Sequence, residues 1–190
     1  MPGPGTHKIP LQSEGSGSNI PVSRIVIIGV VAFVLQVVVS PNIAIAGISP
    51  NFMLIALIPV TALASQRAST LAGFVYGLLF DLVGAGPVGA MALVMALAGY
   101  LLPMLLSNIR IDGIAPWMVI SAVVYIVSNL VLCIVLSILG YEEAFFASIV
   151  LKVIPWAIYD LVLSAILWPV VRRLIGVASS RQMESRLQVK

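Results

Sequence analysis

Five carboxyl and carboxamide side chains interrupt or border long apolar runs in this chain: Gln36, Asn51, Asp81, Asn129 and Asp160. In a lipid phase such groups are costly, so each needs a partner or a purpose. Asn129 and Asp160 fall at similar depths in the last two runs. That predicts one polar site shared by two helices, used either for binding or proton transfer or simply for an interhelical hydrogen bond. The hydrogen bond is the stronger expectation, because a single acid without a nearby base is a thin basis for a relay. Gln36, Asn51 and Asp81 gather toward the outer side of the membrane, away from the mid-bilayer depth of the first two. Asp81 precedes Gly84 and Gly86, so its carboxylate is predicted to accept backbone N–H groups in that turn. The alternative is an anchor for another subunit.

Catalysis finds little to stand on. The only histidine, His7, lies in a Gly-, Pro- and Ser-rich tail, which rules out a Ser/His/Asp set. No HExxH signature and no phosphate-gripping glycine loop are present. The seven acids, Glu14, Asp81, Asp112, Glu142, Glu143, Asp160 and Glu184, are too dispersed to hold a metal ion. The single cysteine, Cys133, sits in an apolar run and reads as a small core residue. The expectation is a protein that is not an enzyme, with no cofactor and no metal. A clustered basic face with aromatic partners is also missing, so nucleic acid is not an expected ligand.

The elements that must position these residues are membrane helices. A chain of 190 residues with 61% hydrophobic and only 9% charged residues does not describe a soluble domain. Its runs cover residues 25–39, 52–64, 68–83, 88–106, 116–139 and 145–171. Nine of the ten basic residues fall where alternate breaks would meet one side of the bilayer, Lys152 being left over. The positive-inside bias then puts both ends and the turns at Arg67 and Arg110 in the cytoplasm. Glu142 and Glu143 mark an external turn, and Trp117, Tyr141 and Trp168 lie near span ends as interfacial aromatics do.

The predicted architecture is all-α, a polytopic bundle of six transmembrane helices over residues 24–175. A disordered cytoplasmic tail, residues 1–23, precedes it, and a basic cytoplasmic tail, residues 176–190, follows. The second and third runs are short and Pro59 bends the former. They form two crossings or a re-entrant hairpin, and two crossings are preferred because the hairpin would strand Arg67 in lipid or outside. Gly73 with Gly77, and Ala92 with Ala96, are small-residue pairs at a spacing of four. Each pair lets a neighbouring backbone approach closely. Packing within the bundle is the first expectation and a docking surface for a partner helix the second.

From Pro50 onward the order of features resembles the MreD family of bacterial rod-shape-determining membrane proteins. Pro50-Asn51-Phe52 opens a short helix, and Gly73-Phe74-x-x-Gly77-x-x-x-Asp81 follows a basic turn. Gly86-Pro87-x-Gly89, Gly99-Tyr100, Tyr159-Asp160 and Leu167-Trp168-Pro169 complete the pattern. The chain departs from it at two positions: Asn51 stands where many members carry Asp, and Asp160 where Asn is common. The resemblance implies a non-enzymatic scaffold of the machinery that builds the lateral peptidoglycan wall, in the bacterial cytoplasmic membrane. It implies binding to the membrane helix of MreC and, through it, to RodA, a class B penicillin-binding protein and MreB. Asn51, Gly73, Phe74, Gly77, Asp81, Gly89 and Tyr100 become the candidate partner-binding residues, with Gln36, Asn129 and Asp160 as intramembrane polar positions. The family's bundle also resembles the substrate-binding subunits of energy-coupling-factor transporters, which makes vitamin capture the rival reading. Those subunits carry an Ala-x-x-x-Ala face on the first helix, where this chain has only Ala32.

Overall fold

A computed structural model describes residues 20–45, 48–84, 86–106, 114–140, 153–167 and 169–170. Outside them fall most of both expected tails and the turns carrying Arg110, Asp112, Glu142 and Glu143. Tyr141, Lys152 and Trp168 also lie outside them, as do the start and the end of the sixth run.

The described residues form six helices and no strand: α1 (Val22–Val34), α2 (Phe52–Leu63), α3 (Gln66–Val83), α4 (Ala90–Leu106), α5 (Ile114–Ile138) and α6 (Ile154–Leu167). Past Val34 the first helix loosens into a π-turn, Leu35–Val39, and then tightens into a 3₁₀ turn, Ser40–Ile43. Pro41 explains the break, since it has no N–H to offer the carbonyl four residues back. Ile45 and Ile48 exchange two backbone hydrogen bonds, 3.0 and 2.9 Å, and pinch the loop before α2.

Helix α2 is the centre of the bundle. Ten of its twelve residues are buried, and it contacts α1, α3 and α4. A helix that is apolar all round belongs in such a place. At about 1.5 Å per residue it is only about 18 Å long, well short of a hydrocarbon core of about 30 Å. The six expected helices are present, but they differ in length. Among the described residues, two stretches are long and apolar enough to cross, Val22–Ile43 and Ile114–Ile138, while α2, α4 and α6 are shorter.

The surface is apolar and the interior partly polar, the reverse of a water-soluble domain. Val30, Val34, Leu71, Leu93, Val119, Ile126 and Ile158 are exposed, whereas Ser69, Ser121, Asn129, Asp160 and Ser164 are buried. Lipid rather than water is the solvent that such a surface fits.

Helices α3 and α4 make the most extensive contact of any described pair. Glycine is the cause. A Cβ on Gly73 would come within 2.2 Å of the Met95 carbonyl oxygen, one on Gly77 within 2.5 Å of Ala92 Cα, and one on Gly99 within 2.3 Å of the Ser69 carbonyl oxygen. The order of these contacts shows that the helices are antiparallel. The two small-residue pairs read from the sequence thus meet each other. Gly73 and Gly77 are removed from the candidate partner contacts because the chain's own α4 already covers them.

Candidate functional site

The first four N–H groups of any helix have no partner within it. In α2 that end is buried, so other side chains must supply acceptors. Asn51 caps its own helix, its side chain accepting from Leu54 N at 3.0 Å. Gln36, held in the π-turn, accepts from Phe52 N through Oε1 at 2.8 Å. Asp160, from α6, accepts from Asn51 N through Oδ1 at 2.8 Å. On the acceptor side, Ser40 Oγ donates to the Pro50 carbonyl at 2.8 Å. Gln36 Nε2 reaches Ser40 Oγ at 3.2 Å and the same carbonyl at 3.4 Å.

Three segments far apart in sequence thus converge on one helix end. The arrangement is electrostatically sound, because the N-terminus of α2 carries roughly half a positive charge facing the Asp160 carboxylate. A neighbouring bond completes the clasp. Tyr159 donates its hydroxyl to the Ile43 carbonyl at 2.6 Å, so adjacent residues of α6 hold both ends of the loop between α1 and α2. Asn51 and Asp160 are direct neighbours, joined by the Asn51 N–H.

This corrects two expectations. The shared site of Asn129 and Asp160 does not form: Asn129 Nδ2 donates to the Tyr125 carbonyl of its own helix at 2.9 Å. Similar depth fixes one coordinate only, and the partners these side chains hold lie on different segments. Gln36 and Asn51 do come together, but with Asp160 rather than with Asp81.

Asp81 has a separate task. Its carboxylate accepts from Gly89 N at 2.9 Å and Ala92 N at 3.0 Å through Oδ2, and from Met91 N at 3.1 Å through Oδ1. It therefore caps α4 from the end of α3, and Gly89 adopts the left-handed φ of 102° that this tight return requires. Both residues serve the hairpin, and Asp81, buried there, is withdrawn as a partner contact. Asn51, buried in the α2 cap, is withdrawn for the same reason.

Phe74 and Tyr100 are different. They are 48% and 49% exposed, respectively. Each follows a glycine of the α3–α4 seam, Gly73 or Gly99, and is turned by about 100° from it. Because the helices are antiparallel, the same turn brings both rings to the same flank of the pair.

Several interior contacts escape a reading of the sequence. Tyr76 donates to the Ile25 carbonyl at 2.6 Å and lies directly over Gly29, where a Cβ would meet its ring at 2.4 Å. Trp117 Nε1 donates to Ser164 Oγ at 3.2 Å, so this tryptophan is buried rather than interfacial. Spacing offered one signal: Trp117, Ser121, Tyr125 and Ser128 share a helical face at intervals of three and four. No catalytic constellation stands out among these groups, and no cluster of three His, Cys, Asp or Glu side chains exists among the described residues.

No curated protein and no solved structure matches the chain significantly. The sequence pattern of the family described as rod shape-determining protein MreD matches residues 16–177, most of the chain, and the protein belongs to that family.

Proposed function

We propose that the protein is a membrane scaffold of the bacterial cell-elongation machinery and holds the membrane helix of MreC on its lipid-facing surface. Family membership gives it a role in rod shape determination, within a family of membrane proteins not known as enzymes. The carrying observation is the division of labour in the bundle. The buried carboxyl and carboxamide groups bind backbone, and the glycine faces are closed by the chain's own helices. What remains outward is an apolar surface, on which Phe74 and Tyr100 flank the α3–α4 seam. A partner helix in lipid associates through van der Waals packing, and two half-exposed rings on one apolar flank offer it that contact. Through MreC the scaffold would reach RodA, the class B penicillin-binding protein and MreB. Vitamin capture would instead call on these interior polar groups, which here are engaged as helix caps.

The test is co-purification with tagged MreC from membranes. The double substitution Phe74→Ala, Tyr100→Ala is expected to weaken it about tenfold, a loss of roughly 1.4 kcal/mol, at unchanged abundance. Undiminished MreC recovery would move the interface off this flank.

Orientation belongs to the same proposal. Reporter fusions after Ser65, after Asn108 and at the C-terminus are expected to read cytoplasmic, and fusions at Gly86 and Glu142 external. An external signal at Ser65 would replace two crossings by a re-entrant α2–α3 hairpin.

A further inference from the structure

The loop between α1 and α2 is built unlike a loop that faces water. From Arg24 to Arg67 the chain carries no charged residue in between. Ile45 is 67% exposed and Ala44 is exposed beside it, with Ile43 and Ile48 partly buried. One exposed isoleucine would be ordinary. Three in a charge-free loop make an apolar tip.

The backbone of this tip is paired within the chain. Ile45 and Ile48 bond each other twice, at 3.0 and 2.9 Å. The Ile43 carbonyl accepts the Tyr159 hydroxyl at 2.6 Å, and the Pro50 carbonyl accepts the Ser40 hydroxyl at 2.8 Å. The N–H groups of Asn51 and Phe52 donate to Asp160 and Gln36, at 2.8 Å each. Irregular backbone is kept out of lipid because its polar groups would go unpaired there. Here these groups are already engaged, and water would not have required it.

The loop also lies well short of the end of α5. Tyr159 and Asp160 hold its two ends, and Ser164, one turn along α6, accepts the Trp117 indole N–H at 3.2 Å. One turn of α6 and the reach of two aromatic side chains place the loop ends within about 19 Å of Trp117, measured along α5. At about 1.5 Å per residue, α5 runs about 31 Å from Trp117 to Ile138. The last third of α5 therefore stands beyond the loop, and its Ile134 and Ile138 are exposed. A bilayer that covers this apolar end covers the loop as well. We propose that the loop between α1 and α2, with Ile45 at its tip, contacts lipid acyl chains of the outer leaflet beneath the headgroups. The choice of leaflet rests on the orientation proposed above, whereas immersion does not.

The experiment places a bimane fluorophore on the full chain carrying Ile45→Cys and Cys133→Ala, reconstituted in phosphatidylcholine vesicles. Bromine on the acyl chains is expected to quench about half of the emission, and aqueous iodide less than about a tenth. Ser23→Cys, exposed beside Arg24, is the surface reference and is expected to show the reverse order. Ser49→Cys, also exposed, repeats the measurement should Ile45→Cys accumulate poorly. Iodide quenching as strong as at Ser23 would overturn the proposal. So would protection from both quenchers, because protein rather than lipid would then cover the loop. Neither reading involves MreC, so the immersed loop and the scaffold role fail separately.

Discussion

Gly73→Leu is expected to abolish accumulation of the folded protein, and Gly73→Ala to reduce it sharply. The first side-chain carbon at this position would lie 2.2 Å from the Met95 carbonyl oxygen and 2.8 Å from its carbon. Both are backbone atoms of α4, which no rotamer change can move aside. The two helices would have to separate along their whole seam, losing the close contacts that Gly77 and Gly99 also permit. Overpacking of this kind costs about 1–3 kcal/mol where neighbours can yield and more where they cannot. Gly77→Leu is expected to behave alike, with Ala92 Cα at 2.5 Å from the new carbon. Gly86→Ala is the control, because nothing lies within 4 Å of its added carbon. Membrane abundance, measured by immunoblot beside MreC recovery per unit protein, separates the readings. A Gly73→Leu protein that accumulates normally but no longer recovers MreC would show that this face serves a partner after all.

Asp160→Leu is expected to fail in supporting rod growth, whereas Asp160→Asn is expected to succeed. Leucine leaves the Asn51 N–H buried and unpaired, at a cost of about 1–3 kcal/mol, and it also removes the charge that faces the positive end of α2. Asparagine keeps an oxygen at the same reach. It can therefore cap the helix without a charge. The measurement is cell shape in a strain depleted of its own copy, with variant abundance followed in parallel. Round, lysing cells with the Asn variant at wild-type abundance would refute a purely positioning role and require the ionised carboxylate in the function itself.

Both expectations rest on contacts whose ingredients were visible early but whose pairing was not. Gly73, Gly77, Ala92 and Ala96 announce close helix approach by their spacing alone, since a face of small residues has few other uses in lipid. That the two pairs meet each other depends on a short antiparallel return at Gly89, held by Asp81. Asp160 announced itself as a costly intramembrane acid. Its partner could not be read, because depth along a helix is one coordinate and azimuth is another. Asn129, at the right depth, turns back to its own helix.

The sequence by itself determined the all-α class, the lipid-facing surface and the family. These follow from local quantities: hydropathy summed over a run, the positions of Pro and Gly, and the order of short motifs. Only the tertiary structure decided that the short helix α2 is the buried centre of the bundle and that Gln36 and Asp160 meet at its open end. The reason is physical. A helix end must satisfy its free N–H groups wherever it stops, and in a dry interior the acceptors come from whichever segments the packing brings near. Asn51 and Asp160 are 109 residues apart, and no local pattern encodes a meeting at that distance.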